Sequence, residues 1–151
     1  MHAIDPDALG AGQPEGARHV LELVSGLIAA GESFCIETTL AGRTPFRWVK
    51  QAQLRGAAVT LIFIGAETVD ITRLRVAQRA LSGGHDIPDE DQLRRFDRVF
   101  DNAIALSALI EDVMLLDNRD RLMHRLLALK SAGVWTTHAD PLPAWAQRFL
   151  A

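Results

Sequence analysis

Arginine is the residue type that this sequence concentrates most strongly. All but two of its 16 basic residues are arginines. The guanidinium group stays charged and binds phosphate oxygens through paired hydrogen bonds, so the cluster predicts a phosphate site. The alternative is a solvated helix face whose charges pair with Asp86, Asp89, Glu90 and Asp97. The segment 73–98 holds Arg73, Arg75, Arg79, Arg94, Arg95 and Arg98.

Glu37 is the acidic residue with the clearest predicted setting. It follows the apolar, β-branched run Ser33-Phe34-Cys35-Ile36, which is typical of a buried parallel strand. At the carboxyl end of such a strand, a carboxylate can hydrogen-bond a substrate hydroxyl. The alternative is a solvated acid that caps the next helix. A second acid, Asp7, lies in an Asp-Pro-Asp segment whose ordinary role is turn formation.

The remaining reactive side chains predict packing rather than chemistry. His85 has no second histidine or cysteine at ligand spacing, so the sequence predicts no metal site. Cys35 is the only cysteine, which excludes an intramolecular disulfide; its mid-strand position predicts an inert core residue. Trp48, Trp135 and Trp145 are dispersed and are interpreted as packing groups.

Length and composition restrict the class of protein. With 151 residues, 48% of them hydrophobic, the chain can form one compact domain over 1–151. The longest apolar run, 57–66, is shorter than the ~20 residues of a membrane span, and no export signal precedes it, so we expect a cytoplasmic protein. The net charge of −3 argues against a nucleic-acid partner.

Hydrophobic periodicity predicts alternating helices and strands. A loop is expected over 1–13, and irregular structure over 133–143. Helices are predicted at 14–30, 45–56, 68–81, 89–110 and 119–129, with a final turn at 144–150; strands are predicted at 33–39, 57–64 and 113–116. Leu122 to Leu129 is interpreted as a packing helix. Such alternation predicts an α/β fold with a mainly parallel sheet.

Five segments, in the family's order from Asp5 to Asn118, resemble the zeta-toxin-like P-loop kinases, in particular a bacterial branch of predicted ATPases. The segment 33–43 is similar to the family's "FxxETTLSG" motif, with Ala41 in place of serine. The segment 75–88 is similar to "RVxxR…GGHxVP", and 94–102 to "RRFxRSxxN", with Val99 in place of serine. Asp117-Asn118 matches the start of "DNS", and 5–10 stands where the family has "NADxIA".

This resemblance implies a three-layer P-loop kinase fold and ATP-dependent, Mg²⁺-assisted phosphoryl transfer to a hydroxyl of a small molecule, for example an activated sugar nucleotide. It implies that Asp7 is the base that accepts the hydroxyl proton and that Glu37 positions the substrate. Thr38 and Thr39 either bind substrate or shape the turn. The substrate-binding set is Glu37, Thr38, Thr39 and Arg43. The nucleotide-binding set, in a lid-like region at about 75–98, is Arg75, Arg79, Arg94, Arg95 and Arg98, of which Arg79 and Arg95 stabilise the transferring phosphoryl group.

One defining element of the family is not found in these residues. A phosphate loop has the pattern G-x-x-x-x-G-K-[ST], but neither Lys50 nor Lys130 follows a glycine. We therefore expect a chain without the family's first strand and phosphate loop, and with impaired catalysis. The alternative is a non-catalytic truncated or split module that acts through binding or self-association. As one half of a split protein, it would have the missing N-terminal half as its partner.

Overall fold

The computed structural model describes residues 1–65, 89–119 and 123–151. In the helix that begins at Asp89, side chains are described only from Asp97 onward. The predicted helix at 68–81, together with Arg75, Arg79 and His85, lies outside these residues. Two compact units divide the chain: the N-terminal unit, Met1–Val59, and the C-terminal unit, Thr60–Ala151. No helix within the described residues is both long enough and apolar enough to cross a membrane.

The N-terminal unit is a strand-helix-strand motif followed by a second helix. Its elements are β1 (His2–Ile4), α1 (Pro14–Ala30), β2 (Phe34–Ile36) and α2 (Thr44–Leu54). β1 and β2 pair in parallel, with Ile4 opposite Ile36. The expectation of a loop over 1–13 is wrong for His2–Ile4, because pairing with β2 and burial of Ile4 stabilise an extended conformation that three residues do not reveal by periodicity.

Helix α1 supplies the core of the N-terminal unit. Val20, Val24 and Ile28 recur at helical spacing and pack with Ile4 in one buried cluster. The helix ends at Gly31, whose φ of 70° is the left-handed conformation that glycine adopts without steric cost. Phe34 and Ile36 of β2 pack against the same cluster. Cys35 lies between them and is exposed, so its prediction as a core residue is wrong; alternation along the strand places it on the other face.

The C-terminal unit contains a four-stranded mixed sheet with two helices. Its elements are β3 (Thr60–Gly65), α3 (Asp89–Ser107), β4 (Asp112–Asp117), β5 (Arg125–Ser131), β6 (Val134–Thr137) and α4 (Ala144–Leu150). The strand order is β3-β4-β5-β6; β3 and β4 are parallel, and the other two pairs are antiparallel. The α/β class is therefore confirmed, whereas this sheet is mixed rather than mainly parallel.

The predicted helix at 119–129, including the packing helix at 122–129, is wrong over Arg125–Leu129, which belongs to β5. The pairing of β5 with β4 shifts register between Leu115 and Leu116, and the consecutive residues Leu127 and Ala128 are both fully buried. This irregularity removes the period-two alternation that identifies a strand. The segment 133–143 likewise contains β6, reached through Ala132 and Gly133, both with positive φ as a two-residue hairpin turn requires.

Aromatic side chains form the core on one face of this sheet. The ring of Phe63 lies 5.2 Å from Phe100 of α3 and 5.2 Å from Phe149 of α4, measured between centroids. The ring of Trp145 lies 5.8 Å from Phe63. Gly65, at the end of β3, lets this indole approach the strand, since a Cβ at Gly65 would lie 2.6 Å from it. The packing role predicted for Trp145 is confirmed.

We predict that Gly65→Ala destabilises the protein by about 1–3 kcal/mol, because the added methyl group would displace Trp145 from a packed core. Urea unfolding followed by tryptophan fluorescence measures the change. The control is Gly26→Ala within α1, where a Cβ would meet no atom within 4 Å. It should stabilise by about 0.5–1 kcal/mol through helix propensity. Equal effects of the two substitutions would contradict the contact.

Candidate functional site

The carboxyl ends of β1 and β2 bring two acidic segments together. Asp5 directly follows Ile4, and Glu37 directly follows Ile36, its partner in the ladder. The pairing continues beyond the strands, because the Glu37 N–H donates to the Ile4 carbonyl at 3.2 Å. We call this region the acidic edge; it comprises Asp5, Asp7, Glu37 and Thr39. Ligands of open α/β sheets bind at such carboxyl ends.

Asp5, rather than Asp7, forms the turn that follows β1. Its Oδ1 accepts the N–H of Asp7 at 2.9 Å and that of Ala8 at 3.3 Å. The Asp7 carboxylate is exposed and has no side-chain hydrogen bond to a described residue. The turn therefore uses the Asp7 backbone and leaves its carboxylate at the acidic edge.

The loop after β2 separates the roles of the two threonines. Thr38 Oγ1 accepts the N–H of Leu40 at 3.2 Å, and Leu40 is buried with a positive φ of 54°. Thr38 therefore shapes the turn; Thr39 makes no such hydrogen bond to a described residue, and both threonines are exposed. Glu37 is exposed, and the first turn of α2 receives no side-chain cap from it. Exposure of Glu37 agrees with the solvated strand-end acid of the alternative interpretation, and among the described residues no hydrogen bond joins its side chain to α2.

Arg43 lies at the end of the same loop, directly before α2. Its guanidinium carbon is 4.7 Å from the centroid of the Phe46 ring, a cation–π contact that holds the arginine beside its own helix. The side chain remains exposed. The acidic edge and Arg43 thus belong to one unit, and their chemistry suits hydrogen bonding and proton acceptance at a polar substrate.

The predicted nucleotide-binding arginines are only partly described. Arg75 and Arg79 lie outside the described residues, as do the side chains of Arg94 and Arg95. The helix predicted to carry Arg94, Arg95 and Arg98 is confirmed as α3, and Arg98 is exposed. Convergence of these arginines stays a prediction.

Mg²⁺ needs oxygen ligands, and kinases supply one or two carboxylates while nucleotide phosphates supply the rest. The exposed carboxylates of Asp7 and Glu37 suit this limited role. Among the described residues, no three His, Cys, Asp or Glu side chains cluster as a complete metal site.

A second polar arrangement lies at the carboxyl ends of β3 and β4; the sequence motifs include Asp117-Asn118 but assign these residues no role and do not pair Asp117 with Arg119. Asp117 is buried, with 3% of its surface exposed. Its Oδ2 lies 2.6 Å from Arg119 Nε, and its Oδ1 accepts the Arg119 N–H at 3.1 Å. The Asn118 N–H donates to the Gly65 carbonyl at 3.0 Å, which ties the two strand ends together. The signal in the sequence is Asp-Asn-Arg immediately after an apolar strand.

Comparisons with protein-family models, with curated proteins and with solved structures gave no match to this chain.

We predict that Asp117→Ala destabilises the protein by about 2–3 kcal/mol, because the substitution removes a charge-assisted hydrogen bond and a backbone cap at a buried site. Chemical denaturation measures the loss. The matched control is Asp101→Ala, which removes the exposed pair formed with Arg148 and should cost less than about 1 kcal/mol. If both substitutions cost the same, burial does not strengthen the Asp117 pair.

Proposed function

We propose that this chain is a zeta-toxin-like kinase domain that transfers a phosphoryl group from ATP to a hydroxyl of a small molecule. The observation that carries the proposal is the acidic edge, where parallel pairing of β1 with β2 brings the segments of Asp7 and Glu37 to one side of the sheet. Phosphoryl transfer to a hydroxyl benefits from a hydrogen-bond acceptor that orients the attacking hydroxyl and from a base that accepts its proton.

Each residue of the N-terminal unit has a distinct role in this proposal. Asp7 accepts the proton of the hydroxyl, since its carboxylate is exposed while Asp5 forms the turn. Glu37 accepts a hydrogen bond from the substrate. Thr39 and Arg43 contact the substrate, and Thr38 holds the loop that presents them.

In the proposal, the arginines of α3 and of the segment that precedes it in sequence bind the phosphates of ATP. In the proposal, Arg79 and Arg95 stabilise the transferring group, and Arg75, Arg94 and Arg98 bind ATP phosphates. When bound, Mg²⁺ would neutralise part of the charge on the phosphates. Because these 151 residues contain no G-x-x-x-x-G-K-[ST] loop, we expect slow transfer by this chain alone.

We predict that labelled phosphate passes from ATP to a nucleotide sugar in the presence of Mg²⁺, and that Asp7→Asn lowers the rate by about 10²–10⁴-fold through loss of the base. Glu37→Gln should mainly raise KM. A panel of nucleotide sugars and γ-labelled ATP measures transfer. The matched control is Glu22→Gln, which changes an exposed carboxylate on α1 and should leave the rate unchanged. Absence of transfer to every acceptor, or an unaltered rate in Asp7→Asn, contradicts the proposal.

A second candidate function is a non-catalytic module that acts by self-association, and β3 favours it. Within the described residues β3 pairs only with β4 and stands at one end of the strand order. Ile62 and Ile64 are 54% and 48% exposed, and the strand carries neither lysine nor proline, which commonly protect such strands from pairing with another chain.

For this candidate we predict concentration-dependent association that Ile62→Lys abolishes, because a buried charge opposes contact between apolar strands. Light scattering after size-exclusion chromatography measures the mass. Val134→Lys is the matched control, since Val134 is an exposed apolar residue on β6, at the other end of the described strand order. A monomer at all concentrations excludes this function.

A further inference from the structure

Helix α2 carries positive charge that the proposed function does not use. Arg47 and Lys50 lie three residues apart on its exposed surface, and Arg55 directly follows its last residue. Residues 38–66 contain no aspartate or glutamate, so no acid within the helix or next to it in sequence balances these cations. Together with the exposed Leu54, they recur at the spacing of one helix face, which we call the basic face.

No carboxylate of the described residues pairs with the basic face. Arg47 donates to Thr44 Oγ1 at 3.3 Å, which is a neutral acceptor. Arg55 donates one N–H to the carbonyl of Ala29 at 3.2 Å, in the last turn of α1. Lys50 makes no hydrogen bond or ion pair with any residue of 1–65, 97–119 or 123–151. The positive charges of the face therefore meet solvent.

Helix stability does not explain the cations within α2. Cations stabilise the carboxyl end of a helix, whereas Arg43 is the N-cap residue of α2 and Arg47 lies one turn later. Like charges three or four residues apart destabilise a helix by about 0.2–0.5 kcal/mol, which applies to Arg47 with Lys50. On α1, by contrast, Arg18 is followed four residues later by the acid Glu22, at 4.0 Å. The fold thus gains no stability from the charges of Arg47 and Lys50.

A groove between α1 and α2 adjoins the basic face. Leu54 is 76% exposed, so the groove presents a large apolar side chain to solvent beside Arg55 and one turn after Lys50. A partner that neutralises the cations can therefore cover Leu54 in the same contact. The residues that line the groove come from both helices: Ser25, Ile28, Ala29, Gln51, Leu54 and Arg55.

We propose that the basic face and this groove bind an acidic, amphipathic segment of another protein. Side chains three or four residues apart on a helix stand about 5–6 Å from each other between Cβ atoms, so carboxylates at helical spacing can pair with Arg47 and Lys50. An apolar side chain of the same segment would cover Leu54. Charge complementarity and the apolar contact together favour a protein partner over RNA, which supplies negative charge without an apolar side chain.

The surface goes beyond the proposed function, because none of Arg47, Lys50, Leu54 and Arg55 has a role in phosphoryl transfer. Arg43 continues the face toward the amino end of α2, and it is left unchanged in the variants because the proposed function assigns it to the substrate. Binding of a partner and transfer from ATP can therefore be measured separately.

Fluorescence anisotropy of a labelled synthetic peptide, added to the full chain at low ionic strength, tests the proposal. The peptide carries glutamate and leucine at helical spacing, and a second peptide has the same composition in scrambled order. We expect saturable binding of the first peptide that weakens about tenfold in Arg47→Gln/Lys50→Gln through loss of two exposed ion pairs. Leu54→Ala should weaken binding severalfold through loss of apolar contact, and added salt should weaken binding of the wild-type chain.

Arg18→Gln is the matched control, since it removes an exposed cation from α1 and should not change the affinity. All varied side chains are exposed, and circular dichroism should show the same helix content in every variant.

Three results with the peptides would overturn the proposal: no binding of the ordered peptide, equal affinity for the ordered and scrambled peptides, or an equal loss in Arg18→Gln and in the double variant. The same assay with single-stranded RNA and with phosphatidylserine vesicles compares other anionic partners. Tighter binding to either one than to the ordered peptide would also contradict the proposal.

Discussion

Parallel pairing of strands is the constraint on which the arrangement of polar groups depends. When two strands run in the same direction, their carboxyl ends meet at one edge of the sheet, and the residues that follow them become neighbours. The N-terminal unit does this with β1 and β2, and the C-terminal unit with β3 and β4. Helix α1 makes the first pairing possible, since its buried face covers Ile4 and the apolar side of β2.

Strong local patterns made much of the fold predictable from the sequence. The long periodic run of α1, the unbroken apolar run of β3 and the acidic start of α3 each determine an element without help from distant residues. Strands β1, β5 and β6 were missed because their evidence is non-local. Three residues form β1 only through pairing with β2, and the bulge in β5 conceals its alternation.

The candidate site was predictable to a similar extent, and for similar reasons. A carboxylate placed directly after a strand can be assigned to a sheet edge from sequence, which holds for Glu37. Which threonine shapes a turn depends on a hydrogen bond to the backbone of Leu40, and no pattern distinguishes Thr38 from Thr39 in advance. The partnership of Asp117 with Arg119 depends on how deeply Asp117 is buried, which a sequence reading of the strand end does not give.

Burial also separates the charged residues that the fold needs from those it does not. A buried carboxylate requires a partner, so the fold itself explains why Arg119 accompanies Asp117. The fold also explains Lys130, which is half-buried and whose Nζ donates to the carbonyls of Ser107 and Ile110 near the end of α3. Asp7, Glu37 and Arg125 are different, because they are exposed and make no ion pair with the described residues. Their charges meet solvent rather than an oppositely charged side chain of the described residues, so they add little to stability, and the fold by itself does not account for their places at the ends of paired strands.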